Sequence, residues 1–141
     1  MKKLLWPALV CALLLGFQPV LAEESPVGVW KTIDDDGKTA KSHVRIYERD
    51  GELCGEIVRL LREPYDRVCE ECPGDLKGKP MVGLRIISAL KKDGSKYTGG
   101  TIMDPENGKT YDCKIWREGD VLKVRGYVAF FYRTQEWQLV E

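Results

Sequence analysis

From residue 27 onward, apolar and polar residues alternate in short runs separated by glycine, proline and aspartate. Alternation with period two marks half-buried strands. The pattern predicts strands at about Val27–Ile33, Lys41–Tyr47, Glu52–Leu61, Leu84–Lys91, Lys96–Met103, Thr110–Arg117, Val121–Val128 and Arg133–Val140, and no convincing helix. Turn residues punctuate them. Asp34-Asp35-Asp36-Gly37, Arg49-Asp50-Gly51 and Lys92-Asp93-Gly94 each place glycine where a tight turn needs positive φ. Asp104-Pro105-Glu106-Asn107-Gly108 and Glu118-Gly119-Asp120 are further turns.

Strand phase assigns the faces. Leu122, Val124, Gly126 and Val128 share one, as do Tyr111, Cys113 and Ile115, and Arg133, Gln135, Trp137 and Leu139. Val44 and Ile46 point inward, which leaves His43 and Arg45 outside. The third and fifth strands have mixed phase. Arg62–Val82 is polar, contains three prolines and two cysteines, and has neither period; a loop of this length is often a lid, a binding loop or a stapled excursion.

Successive strands joined by short turns predict an all-β fold: a small antiparallel up-and-down barrel of about eight strands, closed so that no edge is exposed. A barrel of this size is filled by side chains or holds one small ligand. The pattern leaves both outcomes open.

Residues 1–22 read as a signal peptide rather than as part of the fold. Lys2 and Lys3 precede an apolar run from Leu4 to Phe17, and Val20-Leu21-Ala22 supplies small residues for cleavage. The run is shorter than the roughly 20 apolar residues of a membrane span. Cys11 lies inside it and does not read as a lipidation site. The expected mature chain is one domain, residues 23–141, periplasmic or secreted and not membrane-spanning. The whole chain has 22 basic and 22 acidic side chains; without Lys2 and Lys3 the balance is 20 against 22. This leaves no basic excess for nucleic acid.

Cys69-Glu70-Glu71-Cys72 is the most specific local motif. A redox pair needs a thiolate stabilised at a helix N-terminus, and no such context is visible. A zinc site typically needs two such pairs. A short disulfide between Cys69 and Cys72 is the favoured reading, and it suits an exported chain. Cys54 and Cys113 fall on the third and sixth strands, too far apart in a meander for a bridge within roughly 7 Å. Cys113 reads as core-facing and Cys54 as in phase with Glu52 and Glu56. Bridges from either to the Cys69/Cys72 loop stay open.

His43 is the one histidine, and no nucleophile constellation surrounds it. The carboxylates Asp34–Asp36, Asp104 and Glu106 fall in turns and lack calcium-loop spacing. The expectation is a non-enzyme with no catalytic residue, metal or cofactor. Lys77, Lys79 and Arg85 read as a solvated basic face.

The remaining set of interest is Trp30, Arg133, Gln135 and Trp137. Gly28-Val29-Trp30 on the first strand with a basic residue on the last is the closure pattern of lipocalin-like barrels, so Arg133 is expected over the Trp30 indole. Alternatively, these four residues line a cavity, where Arg133 and Gln135 would orient a ligand. Burying them requires a partner, whether protein, water or ligand.

Several motifs together resemble one family. They are Pro26-Val27-Gly28-Val29-Trp30, Cys69-x-x-Cys72-Pro73-Gly74, Lys77-Gly78-Lys79-Pro80, Gly83-Leu84, Gly99-Gly100, Asp104-Pro105-Glu106-Asn107-Gly108-Lys109-Thr110-Tyr111, Arg125-Gly126-Tyr127 and Arg133-Thr134-Gln135-x-Trp137. The chain resembles exported bacterial proteins catalogued as domain of unknown function 2147. The resemblance implies a lipocalin-like, calycin-type barrel of the cell envelope and no particular reaction. The family often has glycine where this chain has Ala129 and Tyr132.

Three functions follow as expectations. The favoured one is a non-catalytic binder of a small apolar or amphipathic molecule. The alternative is an envelope interaction protein with a filled barrel, docking a protein partner through the 62–82 loop and outward Trp116 and Tyr127. The third, an enzyme or redox protein built on Cys69 and Cys72, ranks last.

Overall fold

The computed structural model describes Lys3 and residues 24–141. The expected signal peptide otherwise lies outside the described residues, together with its cleavage point and Cys11. The strands are β1 (Gly28–Ile33), β2 (Ala40–Arg49), β3 (Glu52–Leu60), β4 (Arg85–Asp93), β5 (Lys96–Asp104), β6 (Lys109–Glu118), β7 (Val121–Val128) and β8 (Phe131–Leu139). They form a closed antiparallel barrel in sequence order. Each predicted strand is present, with ends moved by at most a few residues. Among the described residues no helix is long and apolar enough to cross a membrane.

Closure is made by β1 against β8, with Trp30 opposite Leu139 and Lys31 opposite Gln138. Beyond this short ladder, Val29 N donates to Glu141 O and Val140 N to Val29 O, at 2.6 and 2.8 Å. A side chain at Gly28 would meet that terminal carbonyl, since a Cβ there would lie 2.9 Å from Glu141 O. The glycine of the Gly-x-Trp motif is therefore required by the close approach of the chain end.

The mixed phase of β3 and β5 has a cause. Pairing register shifts on both sides of Gly55 in β3 and between Tyr97 and Gly100 in β5. Each bulge resets the two-residue alternation. This corrects the expectation for Cys54: it is buried, next to buried Leu53 and Gly55, although simple alternation groups it with Glu52 and Glu56. Cys54 and Cys113 are both free and buried.

The turns sort the barrel into two ends. The β1–β2 turn, the 61–84 segment, the β5–β6 turn and the β7–β8 turn share one end. The other carries residues 24–27, the chain terminus and the β6–β7 turn. The β7–β8 turn departs from the usual chemistry, because Ala129 adopts φ +51°, a left-handed conformation that favours glycine.

The irregular segment is a stapled excursion. Cys69 and Cys72 form a disulfide, with Cα atoms 5.4 Å apart. A single 3-10 turn follows at Gly74–Leu76, and Val68 bridges Pro80. The segment packs against the β5–β6 turn. Cys69 Sγ lies 3.4 Å from Pro105 O, and a Cβ at Gly108 would lie 1.9 Å from Glu71 O.

Candidate functional site

The core divides the barrel interior. Trp30, Val44, Ile46, Leu53, Ile87, Leu90, Ile115 and Leu122 fill the half nearest the closed end, all buried. None of them lines the cavity of about 240 Å³ that occupies the other half. The question left open by the sequence is thereby answered in halves: the barrel is packed at its base and hollow toward its loops.

Apolar walls come from Ile57, Leu60, Met81, Ile86, Met103 and Val124. Their positions follow from strand alternation and from Met81, which closes the irregular segment over the mouth. Polar groups ring the opening, and most are matched within the protein. Lys41 Nζ lies 2.8 Å from Glu106 Oε1 and 3.7 Å from Asp34 Oδ2. In the wall, the Thr32 and Ser42 hydroxyls lie 2.9 Å apart, and Ser42 N donates to Thr32 Oγ1 at 3.1 Å.

Arg133, Gln135 and Trp137 all line this cavity, and the structure identifies their partner. Trp137 Nε1 donates to Gln135 Oε1 at 2.9 Å. Gln135 Nε2 donates in turn to Asp35 Oδ1 at 2.9 Å, and Arg133 Nε pairs with the same oxygen at 3.1 Å. A carboxylate from the β1–β2 turn therefore holds Gln135 and Arg133 directly, and Gln135 in turn accepts from Trp137. Sequence reading assigned Asp35 only to its turn. A residue one hundred positions away from Gln135 carries no local signal of that contact.

Trp30 stands apart from the other three. It is fully buried in the packed half, and its Nε1 donates to Pro26 O at 2.8 Å. The expected Arg133 stack is absent. Instead Arg117 of β6 lies over the ring, with its guanidinium carbon 5.3 Å from the centroid. Arg117 is tethered by Nε to Gly119 O at 2.7 Å and by Nη1 to Ser25 O at 3.0 Å. The physical reason is distance along the strand. Trp30 faces Leu139, and Arg133 lies six residues earlier, about 20 Å at the rise of an extended strand.

Other expectations also shift. Trp116 is only half-exposed: Lys96 Nζ and the Arg125 guanidinium lie 4.5 and 5.0 Å from its ring centre. Tyr127 packs on Tyr132 with centroids 6.0 Å apart. The exposed aromatic surface is instead the β7–β8 tip, where Phe130 is 99% and Phe131 76% accessible. The apolar run Val128-Ala129-Phe130-Phe131, in a turn without glycine, was its sequence signal. Lys77, Lys79 and Arg85 are solvent-exposed, as expected.

Titratable groups are perturbed only locally. His43 is half-buried rather than exposed; burial lowers its pKa, assisted by Arg59 and Lys31 beside it. Burial pushes the Cys113 thiol up to about 12. Hydrogen bonds from the Thr39 hydroxyl and from the Thr39 and Lys38 amides lower Asp36 to about 2. Among the described residues no group of three or more His, Cys, Asp or Glu side chains is placed to hold a metal.

Comparison with known proteins agrees with the architecture. The sequence model of a family described as "Uncharacterized protein conserved in bacteria (DUF2147)" matches residues 28–139. Among solved structures, the chain is similar to protein HP1028 from the human pathogen Helicobacter pylori, described as belonging to the lipocalin family. The TM-score is 0.73 at 18% identity, over 83% of this chain and 84% of that one. None of the curated proteins matches.

Proposed function

Because this chain belongs to a bacterial family of uncharacterized proteins, domain of unknown function 2147, we propose its function from the site itself: it binds one small apolar or amphipathic molecule in the open half of the barrel, without catalysing a reaction. The observation that carries this reading is the cavity of about 240 Å³, which pairs apolar walls with a polar mouth. Ligand sites are concave, mostly apolar and equipped with a few placed polar groups. The lipocalin-like architecture supports the same reading. Arg133, Gln135 and Trp137 act as mouth residues held in place by Asp35, and Trp30 supports the base.

The protein works in the periplasm or outside the cell, after cleavage near Ala22. The basic and apolar pattern of residues 1–22 and the Cys69–Cys72 disulfide support that location, since disulfides persist in oxidising compartments. Native mass spectrometry of protein purified without detergent from its own host tests both points. The reading predicts a reproducible extra mass that is lost on unfolding, and a denatured chain that begins at Glu23. A bare native chain would argue against a retained ligand; a denatured mass that includes the leader would contradict export.

A second reading, docking to an envelope protein, is favoured by one observation: the exposed Val128, Phe130, Phe131 and Tyr132 at the β7–β8 tip. Exposed apolar clusters mark interaction sites. This moves the partner surface from Trp116 and Tyr127 to the tip, beside the cavity mouth. In-cell crosslinking from position 130 should recover a defined partner; the same yield from an F130S/F131S variant would contradict this reading.

A further inference from the structure

We infer that the ligand carries an anionic headgroup, in its simplest form the carboxylate of a short alkyl chain, and that Arg67 receives it. This rests on the binder reading above and specifies its ligand class.

Three cationic side chains line the cavity: Lys41, Arg67 and Arg133. Lys41 is paired with Glu106 and Asp34, and Arg133 with Asp35. Arg67 differs. Its Nε is buried from solvent and has no hydrogen-bond partner, and among the described residues no carboxylate pairs with its guanidinium. Arginine keeps its charge at any pH a protein tolerates. Arg67 as a residue is partly exposed, but its enclosed Nε lacks the partner that buried polar groups normally have, and its outer nitrogens are left to meet an anion.

The acidic lining side chains do not supply the missing partner, because each is engaged elsewhere. Asp34 Oδ1 accepts from Asp35 N at 2.8 Å, and Asp104 Oδ1 from Glu106 N at 2.9 Å. Asp35 holds Arg133 and Gln135, and Glu106 holds Lys41. Four carboxylates and three cations line the wall, and Arg67 is the cation among them that no carboxylate of the described residues holds.

The backbone that carries Arg67 is fixed. Arg67 O accepts from Met81 N at 3.1 Å, Cys69 N donates to Lys79 O at 2.7 Å, and Gly78 N donates to Cys69 O at 2.8 Å. The disulfide at Cys69 pins the turn two residues further on. Arg67 lines the cavity from this pinned segment, with Ile57, Met103 and Val124 among the other walls. A carboxylate fits this arrangement: it can take two parallel N–H bonds from one guanidinium while its alkyl chain fills the apolar space. At about 30 Å³ for each water-sized group, the volume suits a chain of roughly six to eight carbons.

The test is calorimetric titration of the full mature chain with sodium octanoate, octan-1-ol, octylammonium and inorganic phosphate, for wild type, Arg67→Met and Arg67→Lys. Wild type should bind octanoate at least tenfold more tightly than octanol, and octylammonium and phosphate more weakly than either. Arg67→Met should lose that preference and keep octanol binding, which also shows that the cavity is intact; Arg67→Lys should retain part of it. Equal wild-type affinity for octanoate and octanol, or unchanged octanoate affinity in Arg67→Met, would overturn the anion inference and leave the binder reading standing. No binding of either chain to wild type would overturn both. If Arg67→Met does not fold, carboxyl-labelled octanoate on wild type decides by carbon NMR. The bound headgroup should stay ionised at least one pH unit below the free acid's titration, and titration at the free value would overturn the inference.

Discussion

Arg117 covers Trp30, with its guanidinium carbon 5.3 Å from the ring centroid, while Arg133 stands at the opposite end of the barrel against Asp35. The two arginines therefore have different physical tasks. Arg117 closes the packed base and also binds the N-terminal segment through Ser25 O. Arg133 shapes the mouth and is largely solvated, its side chain 70% accessible.

Arg117→Met should accordingly lower unfolding stability by about 1–2 kcal/mol, the range of a partly desolvated cation–π contact with its hydrogen bonds. Arg133→Met should cost less than about 1 kcal/mol, as for an exposed ion pair. Urea unfolding of the two variants separates them. The reverse order would restore Arg133 as the closing residue.

The fold was legible because period-two alternation and turn residues are local signals. The closure partner of Trp30 was not, since residues of matching phase on one strand differ in height, and height depends on the β1–β8 register. Likewise Asn107-Gly108 announced a turn, but nothing local showed that Gly108 touches the disulfide loop. Arg67 lay unremarked in a segment with no period, and only the folded loop places it over the cavity.

That hidden contact gives a second prediction. A Cβ on Gly108 would lie 1.9 Å from Glu71 O, at a φ of +70°. Gly108→Ala should therefore displace the stapled segment and cost about 1–3 kcal/mol. Thermal unfolding and limited proteolysis within residues 62–82 read both effects. Wild-type stability and protection would show that the loop does not rest on this turn.

Thiol chemistry gives a third. Burial holds the Cys113 thiol up to about 12, and Cys54 is equally enclosed. Only the thiolate reacts, so a maleimide at pH 8 should leave the folded protein unmodified. It should label two sites in denaturant and four after reduction as well. Rapid labelling of the native state would show that one of these strands opens readily.

The pH dependence follows from two lowered pKa values of opposite chemical type. The folded protein resists protonation of His43, so the unfolded state takes up the proton first. Stability should then fall as pH drops through about 6.5 and below, and His43→Gln should flatten that part of the curve. Asp36 titrates near 2 in the fold, against 3.8 for the free side chain. Its contribution is complete above about pH 4 and disappears as pH falls toward 2, and Asp36→Asn should remove that window. Denaturant midpoints from pH 2 to 8 check both signs.

The central claim is that the open half of the barrel is a binding cavity. Gly126 lines it, and a Cβ there would meet nothing closer than Tyr111 Cβ at 3.7 Å. Gly126→Leu should therefore fill the cavity without disturbing the fold. The deciding measurement is the thermal midpoint of wild type and Gly126→Leu with saturating octanoate. At 100 times its dissociation constant, a ligand adds about 2.7 kcal/mol, a shift on the order of 10 °C for a domain of this size. Wild type should show that shift and Gly126→Leu should show none. Equal shifts in both proteins would place binding outside the cavity and contradict the account.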